Sequence, residues 1–310
     1  MNLTIHAVNR FIVALAVSLS LALSLAQPAF AQLKVLACEP EWAALVQELA
    51  GDNASVFSAT TALQDAHHIE ARPSLIARAR NADLVVCTGS ELEVGWLPLL
   101  LRQSGNGRIQ PGSPGYLEAS QFVPRLEIPK VLDRSLGDIH PAGNPHIQLD
   151  PRNIARVAQV LADRLAQLDP GNASAYRTRT ATFLARWRDA TRRWETEAAP
   201  LKGLAMVVYH KNMTYLNAWL GMREVGSLEP KPGVPPTTAH LAELVARMQA
   251  DPAKLIVYVA YNSPQAAEFL SERTKIPAVM LPFTVGGSDR ANDLFGLFDD
   301  TLARLLAVLK

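Results

Sequence analysis

From about Ala173 to Ala199 the sequence reads as one uninterrupted helix, and this stretch limits the folds open to the chain more than any other. Tyr176, Phe183, Leu184, Trp187 and Trp194 are its apolar points, with Arg, Asp and Glu between them, as expected of an amphipathic helix. At 1.5 Å per residue, about 27 residues reach roughly 40 Å, more than a small domain needs. Asp169-Pro170-Gly171-Asn172 precedes the helix and Pro200 ends it. Such a helix is expected to act as a strut between two lobes.

On both sides of the strut, short apolar runs alternate with amphipathic helices. Strands are predicted at 34–38, 55–59 and 83–87, with helices at 41–50, 73–81, 96–101 and 152–168 and a Gly/Pro/Ser-rich loop over 105–115. After the strut, strands are predicted at 205–209, 223–227, 255–259 and 278–281, and helices at 212–220, 238–249, 264–273 and 292–309. Strand–helix alternation of this kind builds parallel βαβ units. The expected fold class is α/β, with two Rossmann-like lobes, each a mainly parallel sheet flanked by helices, joined by one long backbone helix. The expected organisation is an N-terminal lobe over 32–171, the linking helix over 172–200 and a C-terminal lobe over 201–310.

Residues 1–31 stand apart. Arg10 is their only formal charge, Phe11 to Leu25 is an almost continuous apolar run, and Ala29-Phe30-Ala31 has the small-x-small form of a cleavage site. A secretory signal peptide cleaved after Ala31 is expected, because the apolar run is too short for a membrane span. Removing Arg10 leaves 29 basic residues against 29 acidic ones, which gives neither nucleic acid nor an anionic membrane surface an electrostatic reason to bind. Cys38 and Cys87, the only cysteines, end two apolar strand-like runs. In an exported protein they are either a disulfide or two buried thiols, and spacing does not decide between these.

Six histidines remain in the mature chain. His146 lies in Gly143-Asn144-Pro145-His146-Ile147-Gln148-Leu149-Asp150-Pro151, where Pro145 restricts Asn144 and Asp150-Pro151 reads as an N-cap followed by proline at the first helical position. By itself such a histidine reads as an ordinary capped residue. However, His67 follows one predicted strand and His210 directly follows another, and in open α/β sheets ligands bind beyond the carboxyl ends of strands. Asp289 follows the last predicted strand in Val285-Gly286-Gly287-Ser288-Asp289, where the glycines would let a carboxylate swing inward. Three imidazoles and one carboxylate would suit tetrahedral Zn²⁺.

The motifs also carry a resemblance. Asp65-Ala66-His67-His68-Ile69-Glu70-Ala71-Arg72-Pro73-Ser74, the His146 segment and Tyr209-His210-Lys211-Asn212-Met213-Thr214-Tyr215-Leu216 are similar, in order and spacing, to motifs of the solute-binding proteins that serve zinc and manganese ABC importers, the cluster A-I type. Asn144 and Gln148 depart from that family's usual Asp and Trp, and Asn212 and Met213 from its third motif. The resemblance implies metal ligands His67, His146, His210 and Asp289, and the zinc-specific subgroup, because manganese-selective members carry Glu at the position of His210. It further implies a periplasmic, monomeric carrier with a membrane permease as partner and a periplasmic metallochaperone as a further candidate partner, and no catalysis. Where many zinc members carry a long His-rich loop, residues 133–143 offer only Asp138 and His140, expected as accessory groups. Glu70 is expected to orient a ligand imidazole, with Glu229 as a candidate for the same role; His68 and His240 read as structural or exposed. The alternatives are a manganese carrier of the same family and a secreted zinc hydrolase with three histidines and a metal-bound water. No HExxH or GxSxG motif supports the hydrolase.

Overall fold

Strands β1 (Leu33–Ala37), β2 (Ala54–Ser58), β3 (Leu84–Cys87) and β4 (Tyr116–Glu118) pair in parallel in the order β2-β1-β3-β4. Strands β5 (Ala205–Val208), β6 (Arg223–Ser227), β7 (Leu255–Val259) and β8 (Ala278–Leu281) form a second parallel sheet, β6-β5-β7-β8. The computed structural model describes residues 32–133, 135 and 137–309; the expected signal peptide and its cleavage after Ala31 lie outside the described residues. Strands β3 and β5 are buried at every position, so they read as unbroken apolar runs rather than as alternation. The sequence reading missed β4. It has three residues, too few to show a period, and it exists through its pairing with β3.

Helices α1 (Pro40–Ala50), α2 (Pro73–Asn81) and α3 (Leu97–Ser104) accompany the first sheet, and α6 (Thr214–Leu220), α7 (Thr238–Ala250), α8 (Gln265–Thr274) and α9 (Leu294–Ala307) the second. Between them run α4 (Pro151–Leu168) and the long α5 (Ala173–Glu197). With 25 residues, α5 is about 38 Å long. Its buried face is Tyr176, Thr180, Phe183, Trp187 and Trp194. Trp187 stacks on Phe183 and meets Trp194, Phe295 and Phe298 edge-on, while its Nε1 donates to the Pro151 carbonyl at 2.7 Å. Trp194 Nε1 donates to Asp299 at 2.6 Å. The strut is thereby pinned to α4 on one side and to α9 on the other.

Each sheet carries a smaller core on the face opposite the largest hydrophobic cluster. One cluster (Leu36, Leu75, Val85, Trp96) backs the first sheet and another (Val207, Leu244, Ile256, Leu270) backs the second. The largest cluster is continuous and runs from Val35, Trp42 and Val86 through Trp187 and Trp194 to Val208, Leu216 and Phe298. Packing of this continuity resists free swinging of one half against the other, since a close-packed core does not deform gradually.

The two cysteines are joined. Cys38 leaves β1 and Cys87 ends β3, neighbouring strands whose Cα atoms stand 4.8 Å apart at these positions, within disulfide range. Among the described residues no helix is long and apolar enough to cross a membrane.

Candidate metal centre

His67 lies on the loop that leaves β2. Trp96 Nε1 anchors that loop by donating to the Ala66 carbonyl at 2.8 Å, and a side chain at Gly95 would press on the His67 carbonyl. Asp65 closes a tight turn: its Oδ1 accepts from the His67 backbone N–H at 3.0 Å and from Nδ1 at 2.7 Å. A carboxylate only accepts, so Nδ1 carries the proton and Nε2 is left with its lone pair. Burial works to raise the Asp65 carboxyl, but the hydrogen bond and charge of His67 outweigh it and hold it down at about 2.

His146 is fixed as the sequence suggests. Asn144 Oδ1 accepts from the His146 N–H, and Asp150 caps α4 by accepting from Arg152 N–H ahead of Pro151. The Asn144 amide also donates to the Lys211 carbonyl at 2.8 Å and to Thr214 Oγ1 at 3.1 Å, both beyond the strut. An aspartate at this position has no proton for those bonds. His146 is 2% exposed, and its Nε2 has no hydrogen-bond partner among the described residues. Burial, and then the charge of neighbouring His67, push this imidazole well below the usual histidine range, so it stays neutral.

His210 lies two residues beyond the end of β5 and is 8% exposed. Its Nδ1 donates to Glu229 Oε2 at 2.7 Å, which again frees Nε2. One donor atom from each of His67, His146 and His210 lies within 4.8 Å of the other two. The rings of this trio stand 5.5–5.6 Å apart, edge to face.

His140 stands beside this trio. Its Nε2 lies 3.3 Å from His67 Nε2. This is the length of an imidazole N–H···N hydrogen bond, and it also matches the ~3.3 Å that separates two nitrogens each ~2.0 Å from one tetrahedral ion. Burial, with the charges of His67 and His210, lowers the His140 imidazole to about 4. It is therefore neutral near pH 7, as a ligand has to be.

Asp289 is not brought to this cluster. It is exposed, and the β8 end presents Phe283 to His146 instead, ring centroids 5.5 Å apart. Phe283 takes a φ of +69°, a costly conformation for a bulky side chain and one seen mainly at functional sites. The loop then folds away: Gly286 N–H donates to the Ala291 carbonyl, and Ser288 Oγ donates to Asp300 on α9 at 2.7 Å. Glu70 is likewise exposed, because Asp65, two residues ahead of His67, reaches Nδ1 from within its own turn. Asp138 is exposed above Gly233 and His68 is exposed beside His67, while His240 Nε2 donates to the Ser227 carbonyl at 2.9 Å on α7, a structural role.

The imidazoles separate two spaces. On the outer side, a cavity of about 290 Å³ is lined by Glu127, Asp138, His140, His146, His210 and Lys211. On the inner side, one of about 20 Å³ is bordered by Glu39, Glu41, His67, His146, Tyr261 and Thr284. A larger groove of about 390 Å³, against β1, β2 and α2, contains none of the histidines.

Known proteins share this arrangement of sheets. The high-affinity zinc uptake system protein ZnuA of Bacillus subtilis (strain 168) is 22% identical over 248 residues, 79% of this chain and 76% of that one. A crystal structure of ZnuA superposes with a TM-score of 0.73 at 20% identity, covering 89% of this chain and all of that one. A manganese-bound periplasmic metal-binding protein from Candidatus Liberibacter asiaticus gives 0.72 at 18% identity, covering 90% of this chain and all of that one. Residues 35–308, which span nearly all of both sheets, the long helix and His67, His140, His146 and His210, match the family described as zinc-uptake complex component A, periplasmic, and the chain belongs to that family.

Proposed function

We propose that the chain is a periplasmic zinc carrier that holds Zn²⁺ on His67, His140, His146 and His210. As a member of its family it is the substrate-binding component of a metal ABC importer, not an enzyme, and its cargo goes to a membrane permease. The observation that supports zinc is the donor set: the imidazoles of His67, His146 and His210 converge, His140 Nε2 lies 3.3 Å from His67 Nε2, and no carboxylate is among them. Imidazole suits Zn²⁺, whereas Mn²⁺ prefers oxygen. Asp65 and Glu229 contribute negative charge one bond further out, each accepting the second N–H of a ligand. A four-nitrogen set also leaves no position for an activated water, which separates a carrier from a hydrolase.

The test is a competition titration on the mature chain, with X-ray absorption to read the ligands. One Zn²⁺ per chain, four nitrogen neighbours and zinc displacing manganese are expected. Because the Irving–Williams order favours zinc in most sites, the spectrum carries the decision. Two or more oxygen ligands, or manganese held against zinc, would overturn the reading.

A further inference from the structure

We infer that Glu229 is a positioning residue which sets two ligands at once, His210 directly and His140 through the segment that carries it. This inference rests on the four-histidine reading and adds the means by which the two sides of the site communicate. The same oxygen, Glu229 Oε2, that accepts from His210 Nδ1 also accepts from the Gly233 backbone N–H at 2.9 Å. The second bond closes the 229–233 turn, whose Val234 N–H in addition donates to the Lys231 carbonyl.

That turn is the surface on which the His140 segment rests. The segment lies between Leu126, whose N–H donates to Tyr215 Oη, and Asn144, whose amide donates to the Lys211 carbonyl. Its Asp138 N–H donates to the Pro232 carbonyl at 2.9 Å, and Lys231 Nζ donates back to the Ser135 carbonyl at 2.7 Å. Two glycines mark how closely the surfaces meet. A Cβ on Gly137, at φ +93°, would run into the Pro232 carbonyl, and one on Gly233, at φ +78°, into the Asp138 carboxylate. Two residues beyond Asp138, the His140 ring reaches His67. Contacts therefore form a closed ring: His210, Glu229, the 229–233 turn, the segment resting on it, His140 and the metal position.

A ring of this kind makes docking of the segment and metal retention mutually dependent. Coupling is reciprocal: if the docked segment slows zinc release, zinc must equally favour docking. A carboxylate that merely oriented His210 would lower affinity in the same way without any such link.

The test uses the full mature chain in five forms: wild type, Glu229→Ala, Gly137→Ala, His140→Ala and the Gly137→Ala/His140→Ala double variant. Zinc release into excess chelator is timed, and exchange of the Asp138 amide hydrogen is followed with and without Zn²⁺. In the wild type, zinc is expected to slow that exchange at least tenfold. Gly137→Ala touches neither His210 nor Glu229, lies on an exposed segment and should still fold; it is expected to speed zinc release about tenfold, towards the His140→Ala rate. Adding Gly137→Ala to His140→Ala should change release no further, the signature of two groups acting as one unit. Glu229→Ala is expected to bind zinc while losing the zinc-dependent protection of Asp138. Wild-type release from Gly137→Ala, or unchanged Asp138 protection in Glu229→Ala, overturns the coupling while leaving the zinc site standing. Failure of the wild type to bind zinc overturns the reading beneath it.

Discussion

His146→Ala is expected to weaken zinc binding about a hundredfold or more while the metal-free protein keeps its melting temperature within a few degrees. The magnitude follows from sharing the ~10–16 kcal/mol of a four-ligand zinc site among its ligands, about 3 kcal/mol each, at about 1.4 kcal/mol per factor of ten. The unchanged metal-free stability follows from the burial of the ring. His146 is 2% exposed with Nε2 unpartnered, so removing it relieves an unsatisfied polar atom at the same time as it opens a small void. Isothermal titration beside thermal melts, each with and without zinc, reads both quantities. Asp289→Ala belongs in the same series. Exposed on its loop, Asp289 should give wild-type affinity, whereas the reading from sequence motifs alone predicts a loss as large as that of His146. Affinity within threefold of wild type for His146→Ala would remove the imidazole cluster as the metal site.

The contrast between Asp289 and His140 shows what the sequence could and could not convey. His67, His146 and His210 were legible because each follows a local rule: two lie on loops that leave strand ends, and the third sits between a proline and a capped helix. These rules fix backbone direction over a few residues, and the parallel sheets then gather the three ends. Asp289 obeyed the same rule, with two glycines before it that promised freedom. The glycines serve another purpose. Gly287 lets the chain double back so tightly on the Pro282 carbonyl that no Cβ would fit, and the turn sends Asp289 outward. His140 had no local rule at all. Its position depends on Gly137 and Asp138 meeting Pro232, nearly a hundred residues away, and such a contact has no periodicity to betray it. The fold was more legible than the site, since seven of the eight strands and the long helix rest on patterns repeated over many residues, and only the three-residue β4 escaped. Asp65 could have been found, because an aspartate two residues before a ligand histidine is placed to close a turn and accept from its ring.

A second expected result concerns a group that no motif announced. Glu39→Gln should raise stability at pH 8 by about 1–3 kcal/mol, the cost of one unsatisfied buried acceptor, and the melting temperature by several degrees. Glu39 and Glu93 lie buried near the ends of β1 and β3, beside the disulfide. Their donors are few: Thr88 N–H and Oγ1 serve Glu39 Oε2, the Thr88 and Gly89 amides serve Glu93, and Glu39 Oε1 has no partner among the described residues. Burial raises both carboxyls, Glu93 to about 7 and Glu39 well above its ordinary value, the latter with the charge of Glu93 adding to the effect. A carboxyl whose folded value is raised contributes stability that is complete below its unfolded value and is lost as pH climbs through the folded one. The metal-free protein should therefore lose stability between about pH 5 and pH 8. Glutamine at 39 keeps an oxygen for Thr88 and puts an N–H where the orphaned Oε1 now stands, facing Glu93 as a permanent stand-in for the protonated acid. Thermal melts in chelator from pH 5 to pH 8 should then show a flatter profile for Glu39→Gln, with the largest gain at the alkaline end. A profile parallel to the wild type would mean that Glu39 and Glu93 are not the groups whose ionisation limits the fold.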